Sequence, residues 1–213
     1  MKLGSRAKPA IPPVEPGTYF AVCIGAIDLG EQETTFSGKT KYVNQMQIIF
    51  ELPSELITID GEEQPRQLSR KFTVSTSSKS NLRQFIETWY GKKFTDDAFC
   101  EFDTIELLGK PAMLSVVASE NGQYANIASA AALPKGMAAP VAKSQMIEFD
   151  LDAWDDEKFA ALPEWLQERI TKSTQYKAMH LPTDEVSVEA AMEAVSKAAE
   201  AEAGDEDGEE APW

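Results

Sequence analysis

Eight residues in the first half of the chain are of the types that hold a polyanionic strand. Phe36, Lys39, Lys41 and Tyr42 fall on one short stretch; Arg70, Lys71 and Phe72 are consecutive, and Lys79 follows them after a polar run. Lysine and arginine neutralise phosphates, and aromatic faces stack bases with little regard to sequence. Strand parity constrains the set. In an extended strand Arg70 and Phe72 share one face and Lys71 points to the other. Tyr42 and Phe72 are equally good candidates for ordinary core, because aromatic side chains are mostly well buried.

Such residues need a frame, and the stretch from Arg66 to Lys93 supplies its centre. Leu68–Val74 reads as a strand rich in β-formers. Ser75–Asn81 is a polar turn with several possible helix caps. Leu82, Phe85, Ile86 and Trp89 then recur at helical spacing, with Gly91 as a stop, so Trp89 belongs to the core.

Before this unit, Gly17–Leu29 reads as a first strand with Gly25 placed for a bulge. Gly30–Thr40 follows as a turn-rich loop, and Lys41–Leu52 as a second strand stopped by Pro53. Glu55–Ile59 reads as a short added strand before the Asp60-Gly61 turn. After the unit come a short helical turn in Thr95–Asp103, a fourth strand over Leu107–Ala118, a tight Asn121-Gly122 turn, and a fifth strand over Gln123–Leu133. Three strands, a helix and two strands predict a mainly β fold: an OB-fold-like five-stranded barrel over residues 17–137, with a helix between strands three and four.

The flanks differ in character. Residues 1–16 read as a flexible proline-rich lead-in without the apolar core of a secretory signal. Residues 138–148 read as a linker. Residues 149–182 read as a helical extension, with a helix opened by Pro163 and reaching Lys172 or on to Met179. Residues 183–213 form an alanine- and glutamate-rich, then strongly acidic tail, expected to be largely disordered.

The chain carries a net charge of −15, which is unusual for a protein that binds nucleic acid. The charge is segregated. Through Met137 there are 14 lysines and arginines against 16 acids; from Ala138 onward there are 6 against 19. A near-neutral first part can hold a local basic groove. In the tail, Asp205, Glu206, Asp207, Glu209, Glu210, Pro212 and Trp213 make an acidic peptide with one hydrophobic anchor. A basic, hydrophobic pocket on another protein suits it. It can also compete with phosphate for the chain's own cations.

Other chemistries find little support. Cys23 and Cys100 are far apart, and His180 is the single histidine. No cofactor, metal site or disulfide is expected. There is no phosphate-binding glycine loop and no nucleophile elbow. Asp150, Asp152, Asp155 and Asp156 cluster without the glycine and terminal glutamate of an EF-hand, and fit a helix N-terminus better. No apolar run approaches the roughly 18 residues of a membrane span, so a cytoplasmic, non-membrane protein is expected.

The strand order, the segments Gly109–Leu114 and Ala131–Gly136, and the Phe149–Tyr176 module resemble bacteriophage single-stranded DNA-binding proteins. The tail is similar to those of bacterial single-stranded DNA-binding proteins, although it ends in tryptophan where those usually end in phenylalanine. The resemblance implies an OB-fold and coating of exposed single-stranded DNA in replication, recombination or repair. It also implies that the tail recruits replication or recombination proteins, and it is compatible with a homo-oligomer. No enzyme is implied. The rival reading is a protein-interaction adaptor on a β-barrel with no nucleic acid involved; a minor third is a hydrolase at Asp150–Asp156. Whether the cations of the Lys39–Lys41 and Arg70–Lys79 segments converge on one groove discriminates the first two.

Overall fold

The computed structural model describes residues 12–36, 38–59 and 61–180. Its core is a mainly β, six-stranded sheet. The strands are β1 (Gly17–Phe36), β2 (Lys39–Ile59), β3 (Glu62–Thr73), β4 (Pro111–Ala118), β5 (Ala125–Ala131) and β6 (Ile147–Phe149). Along the sheet the order is β3-β2-β1-β4-β5, with all these pairs antiparallel. β6 adds parallel to β1 at Gly25–Ile27, beyond the point where β4 leaves it. The expected order of three strands, a helix and two strands is present. No backbone ladder joins β3 to β5, so the sheet is not closed into a barrel.

The strands run longer than the sequence suggests. The turn-rich Gly30–Thr40 segment is mostly ladder, with Phe36 paired to Lys39 across the tip. Pro53 does not stop β2. The pairing with β3 shifts register between Leu52 and Leu56 and then resumes to Ile59, so proline sits at an irregularity where its missing N–H is not needed. Gly25 lies at a bulge in β1, as its mid-strand position suggests, and a Cβ there would meet Ile49 at 2.9 Å.

Helix α1 (Asn81–Tyr90) starts where the Ser80 side chain accepts from the Arg83 N–H, and ends at Gly91 in the left-handed region at φ 64°. Its stripe of Leu82, Phe85, Ile86 and Trp89 faces the sheet's inner side with Met46, Ile48, Phe50, Phe72 and Leu114. Trp89 is fully buried and donates from Nε1 to the Pro111 carbonyl at 2.8 Å. Truncating such a side chain costs about 3–5 kcal/mol. The helix packs on both β3 and β5 and so fills the space between the open edges. Helix α2 (Asp96–Cys100) and a 3-10 turn (Thr104–Leu107) lead back to β4.

A second core lies on the opposite face of the sheet. Helices α3 (Asp156–Ala161), α4 (Glu164–Ile170) and α5 (Thr174–His180) bring Leu162, Leu166 and Ile170, with Phe149 and Leu151, against Ile24, Ile27, Leu29 and Ile49. This explains why β2 is buried without interruption from Gln45 to Leu52: it is covered on both faces. The stretch read as a linker is pinned. The Lys143 and Ser144 N–H groups donate to the fully buried Glu51 carboxylate at 2.7 and 2.8 Å, and the stretch ends inside β6. The end of the lead-in also packs, through a buried Val14 and a bond from Arg66 Nη1 to the Pro12 carbonyl. Among the described residues no helix is long and apolar enough to cross a membrane. The acidic tail lies outside the described residues, and with it Asp205, Glu206, Asp207, Glu209, Glu210, Pro212 and Trp213.

Candidate nucleic-acid interface

The polar turn between β3 and α1 is held by its own serines. Ser75 Oγ accepts from the Ser77 N–H, Ser77 Oγ accepts from the Lys79 N–H, and Ser80 Oγ donates to the Ser75 carbonyl. Short hydroxyl side chains favour such turns because they replace backbone partners locally. The turn is also braced from the helix. Arg83, almost entirely buried, donates to the Thr76 carbonyl at 3.0 Å and the Phe94 carbonyl at 2.7 Å, and pairs with Glu87 and Asp96. The result is a fixed wall for an open groove of about 500 Å³ at the free edge of β3, lined by Arg70, Lys71, Thr73, Ser75, Ser77 and Lys79 among others. Hydroxyls and cations facing one open groove suit a phosphate backbone.

Within that groove the predicted residues divide. Lys71 and Lys79 are exposed. Arg70 is half-buried, and its Nη1 donates to the carbonyls of Ile127 at 3.0 Å and Ala128 at 2.7 Å. Its guanidinium also lies over the Phe72 and Phe85 rings, at 4.9 and 5.2 Å. Burial holds it below the ordinary arginine range. Arg70 therefore acts first as a tie between β3 and β5. Phe72 is 3% exposed and packs on Phe85, so its ring offers no face to a base. Arg70 and Phe72 sit on the inner side and Lys71 on the other, as strand parity requires.

The remaining candidates sit on the outer half of the β1–β2 hairpin. Lys39, Lys41 and Tyr42 are exposed, Tyr42 by 56%. Phe36 pairs through its backbone with Lys39. Four residues along β2 from Lys41 stands Gln45, opposite Thr73 of the groove. At the rise of an extended strand that is about 14 Å. The hairpin thus extends the groove rather than lining it.

Sequence reasoning passed over Gln45 and Gln47, two buried amides in a run that reads as apolar strand. It also passed over Arg169 on α4, whose charge bears on Lys71. Nothing in the order of residues shows that α4 folds back onto β1 on the sheet's second face.

A second cleft, of about 400 Å³, carries the opposite sign: Asp28, Asp103, Glu148, Asp150 and Asp152 contribute to its lining. Burial raises the Asp28 carboxyl above its ordinary value, and the nearby Asp150 and Asp152 add to that. The Asp150–Asp156 cluster does local work. Asp150 accepts from the Asp152 N–H, Asp156 from Trp154 Nε1, and Asp155 caps α3 through the N–H groups of Glu157 and Lys158. Among the described residues no group of three or more metal-ligating side chains converges. Compared with protein-family models, with curated proteins and with solved structures, the chain has no match.

Proposed function

We propose that this chain is a non-catalytic single-stranded DNA-binding protein built on an OB-fold. The observation that carries the reading is the convergence of the exposed Lys71 and Lys79 with the serine hydroxyls of the β3–α1 turn on one groove, whose inner wall includes the tethered Arg70. The β1–β2 hairpin extends this groove with Lys39, Lys41 and an exposed Tyr42 as cations and a stacking face. Lysines hold phosphates, Tyr42 stacks a base, and released counterions make affinity fall with salt. The fold class rests on the strand order β3-β2-β1-β4-β5, with β3 and β5 brought together through Arg70 and α1 between them. OB-folds are partly open barrels of this order.

In this reading the protein coats exposed DNA in replication, recombination or repair. The acidic tail recruits replication proteins and competes with DNA for the groove. Fluorescence anisotropy of labelled oligo-dT, run over a salt series and against duplex, tests it. Salt-weakened binding that prefers the single strand is the expected result, with tighter binding after removal of Gly204–Trp213. An absence of binding at low salt, with and without the tail, overturns it and favours the adaptor.

A further inference from the structure

The ladder between β2 and β3 outruns the body of the sheet. After the register shift beyond Leu52 it resumes at Leu56–Pro65 and continues through Ile57–Gln64, Thr58–Glu63 and Ile59–Glu62. This arm belongs to neither core: Leu56, Ile57 and Ile59 stand outside both hydrophobic clusters, and Leu56 is 45% exposed. The first side chains tied to the body are those of Arg66 and Gln67, at the arm's base. A two-stranded hairpin is only marginally stable alone in water, so an arm with three apolar side chains calls for a surface to lie on. Parity and cross-strand register put Ile57, Ile59, Glu55 and Glu62 on one face. With Glu63 on the other face, the arm is acidic and a poor partner for phosphate.

A surface of complementary kind lies at the C-terminal end of α1. Lys110 Nζ sits 3.8 Å from the centre of the Tyr90 ring and Lys92 Nζ 5.7 Å from it; Lys92 is also 4.7 Å from the centre of Phe94. Tyr90, Phe94 and Phe102 pack edge to face and are only half-buried. Ile105, which precedes the Glu106 carbonyl that receives the Tyr90 hydroxyl, is 43% exposed. Lys93 is taken by Glu87, whereas Lys92 and Lys110 have no carboxylate partner among the described residues. The Glu106 charge bears on Tyr90 but forms an ion pair with neither lysine. Tyr90, Phe94 and Phe102 pack against the first core, to which the arm does not belong, so within one chain both surfaces stay open. Two cations on an aromatic bed match two acids beside two isoleucines in sign and in apolar character.

We propose that the β2–β3 arm of one copy of this chain lies on the Tyr90–Lys92–Lys110 patch of the next. Glu55 and Glu62 meet the two ammonium groups, and Ile57 and Ile59 cover the aromatic edges and Ile105. The two surfaces differ, so the contact is head-to-tail and repeats from copy to copy. A contact of this size is weak and transient. The proposal does not depend on the DNA-binding reading, and it suits a protein laid side by side along a strand.

Sedimentation velocity of the full chain without DNA, over a concentration series at low and high salt, tests it. Association that grows with concentration and weakens with salt is expected. Lys92→Glu with Lys110→Glu, and Glu55→Lys with Glu62→Lys, are each expected to weaken it by about tenfold or more. An equimolar mixture of the two double variants is expected to associate again, because reversed arm then meets reversed patch and unaltered arm meets unaltered patch. A wild type that stays monomeric overturns the proposal and leaves the DNA-binding reading standing. Association that neither double variant weakens, or a mixture that fails to recover, overturns it as well. Removal of Gly204–Trp213 is expected to leave association intact; its loss would identify the acidic tail as the occupant of the patch and overturn the role of the arm.

Discussion

Arg70 reaches from β3 to within 2.7 Å of the Ala128 carbonyl on β5, joining by a side chain two strands that no backbone ladder joins. The same nitrogen reaches Ile127, and the guanidinium rests on the Phe72 and Phe85 rings. Arg70→Ala removes all of this and leaves the two carbonyls without this donor. Bonds to a charged group are worth about 1.5–3 kcal/mol, and half-exposure places the loss near the lower end, at about 2 kcal/mol. Arg70→Lys is expected to recover less than half, because an ammonium cannot reproduce a fork lying flat on two rings. Urea denaturation measures both. A midpoint unchanged in Arg70→Ala would mean that α1 alone holds the two edges together.

How much of this was legible depends on whether a local pattern carried it. The α1 unit was, because its apolar stripe, its serine cap and Gly91 are all local signals. The bulge at Gly25 and the tight turn at Gly122 were legible for the same reason. Strand lengths were not. The Glu31–Phe36 and Glu62–Arg66 stretches are polar, and what makes them strands is a partner across a hairpin. Parity correctly separated Lys71 from Arg70, yet it could not tell that Arg70 would turn inward to β5. The second core depends on α3–α5 folding back onto the outer face of β1 and β2, which no spacing encodes.

Tyr42 and Phe72 were indistinguishable as sequence and are opposites in the fold, at 56% and 3% exposure. Tyr42→Ala is expected to leave the melting temperature unchanged and to weaken oligo-dT binding by about 1–3 kcal/mol, the usual value of one stacked base. Phe72→Ala is expected to cost about 3–5 kcal/mol of stability, with binding lost only as the fold is lost. Thermal melts and anisotropy on the same samples separate the two. Tyr42→Ala with wild-type affinity would remove the stacking role.

Gly30 joins two demands at one residue. Its φ is +70°, and a Cβ there would lie 2.6 Å from Leu151 Cδ1, 2.8 Å from Gln175 Oε1 and 2.8 Å from Ser173 Cβ. Gly38 also has positive φ, at +77°, but open space around it. Gly38→Ala is expected to show only the backbone penalty, of about 1–2 kcal/mol. Gly30→Ala adds a collision with the extension where Gln175 receives the Glu31 N–H. The expected signature is a larger stability loss, together with faster hydrogen exchange in α4 and α5. Equal effects at the two glycines would show that the extension yields freely.

Glu87 gives the pH dependence a defined sign. Its carboxylate accepts from Lys93 Nζ at 2.6 Å, from the Phe94 N–H at 3.1 Å and from Arg83 Nε at 3.2 Å. These bonds, led by that from Lys93 and working against burial, pull it from 4.5 down to about 2. A carboxyl depressed in the folded state adds stability that is fully present above its unfolded value and is lost as pH falls through its folded one. Glu87→Gln should therefore be less stable than wild type at neutral pH, with the gap closing between about 4.5 and about 2. Urea midpoints at a series of pH values measure the gap directly. A gap that stays constant across that window would mean that the cluster holds the β3–α1 turn through its hydrogen-bond geometry, and that the charge of Glu87 contributes nothing.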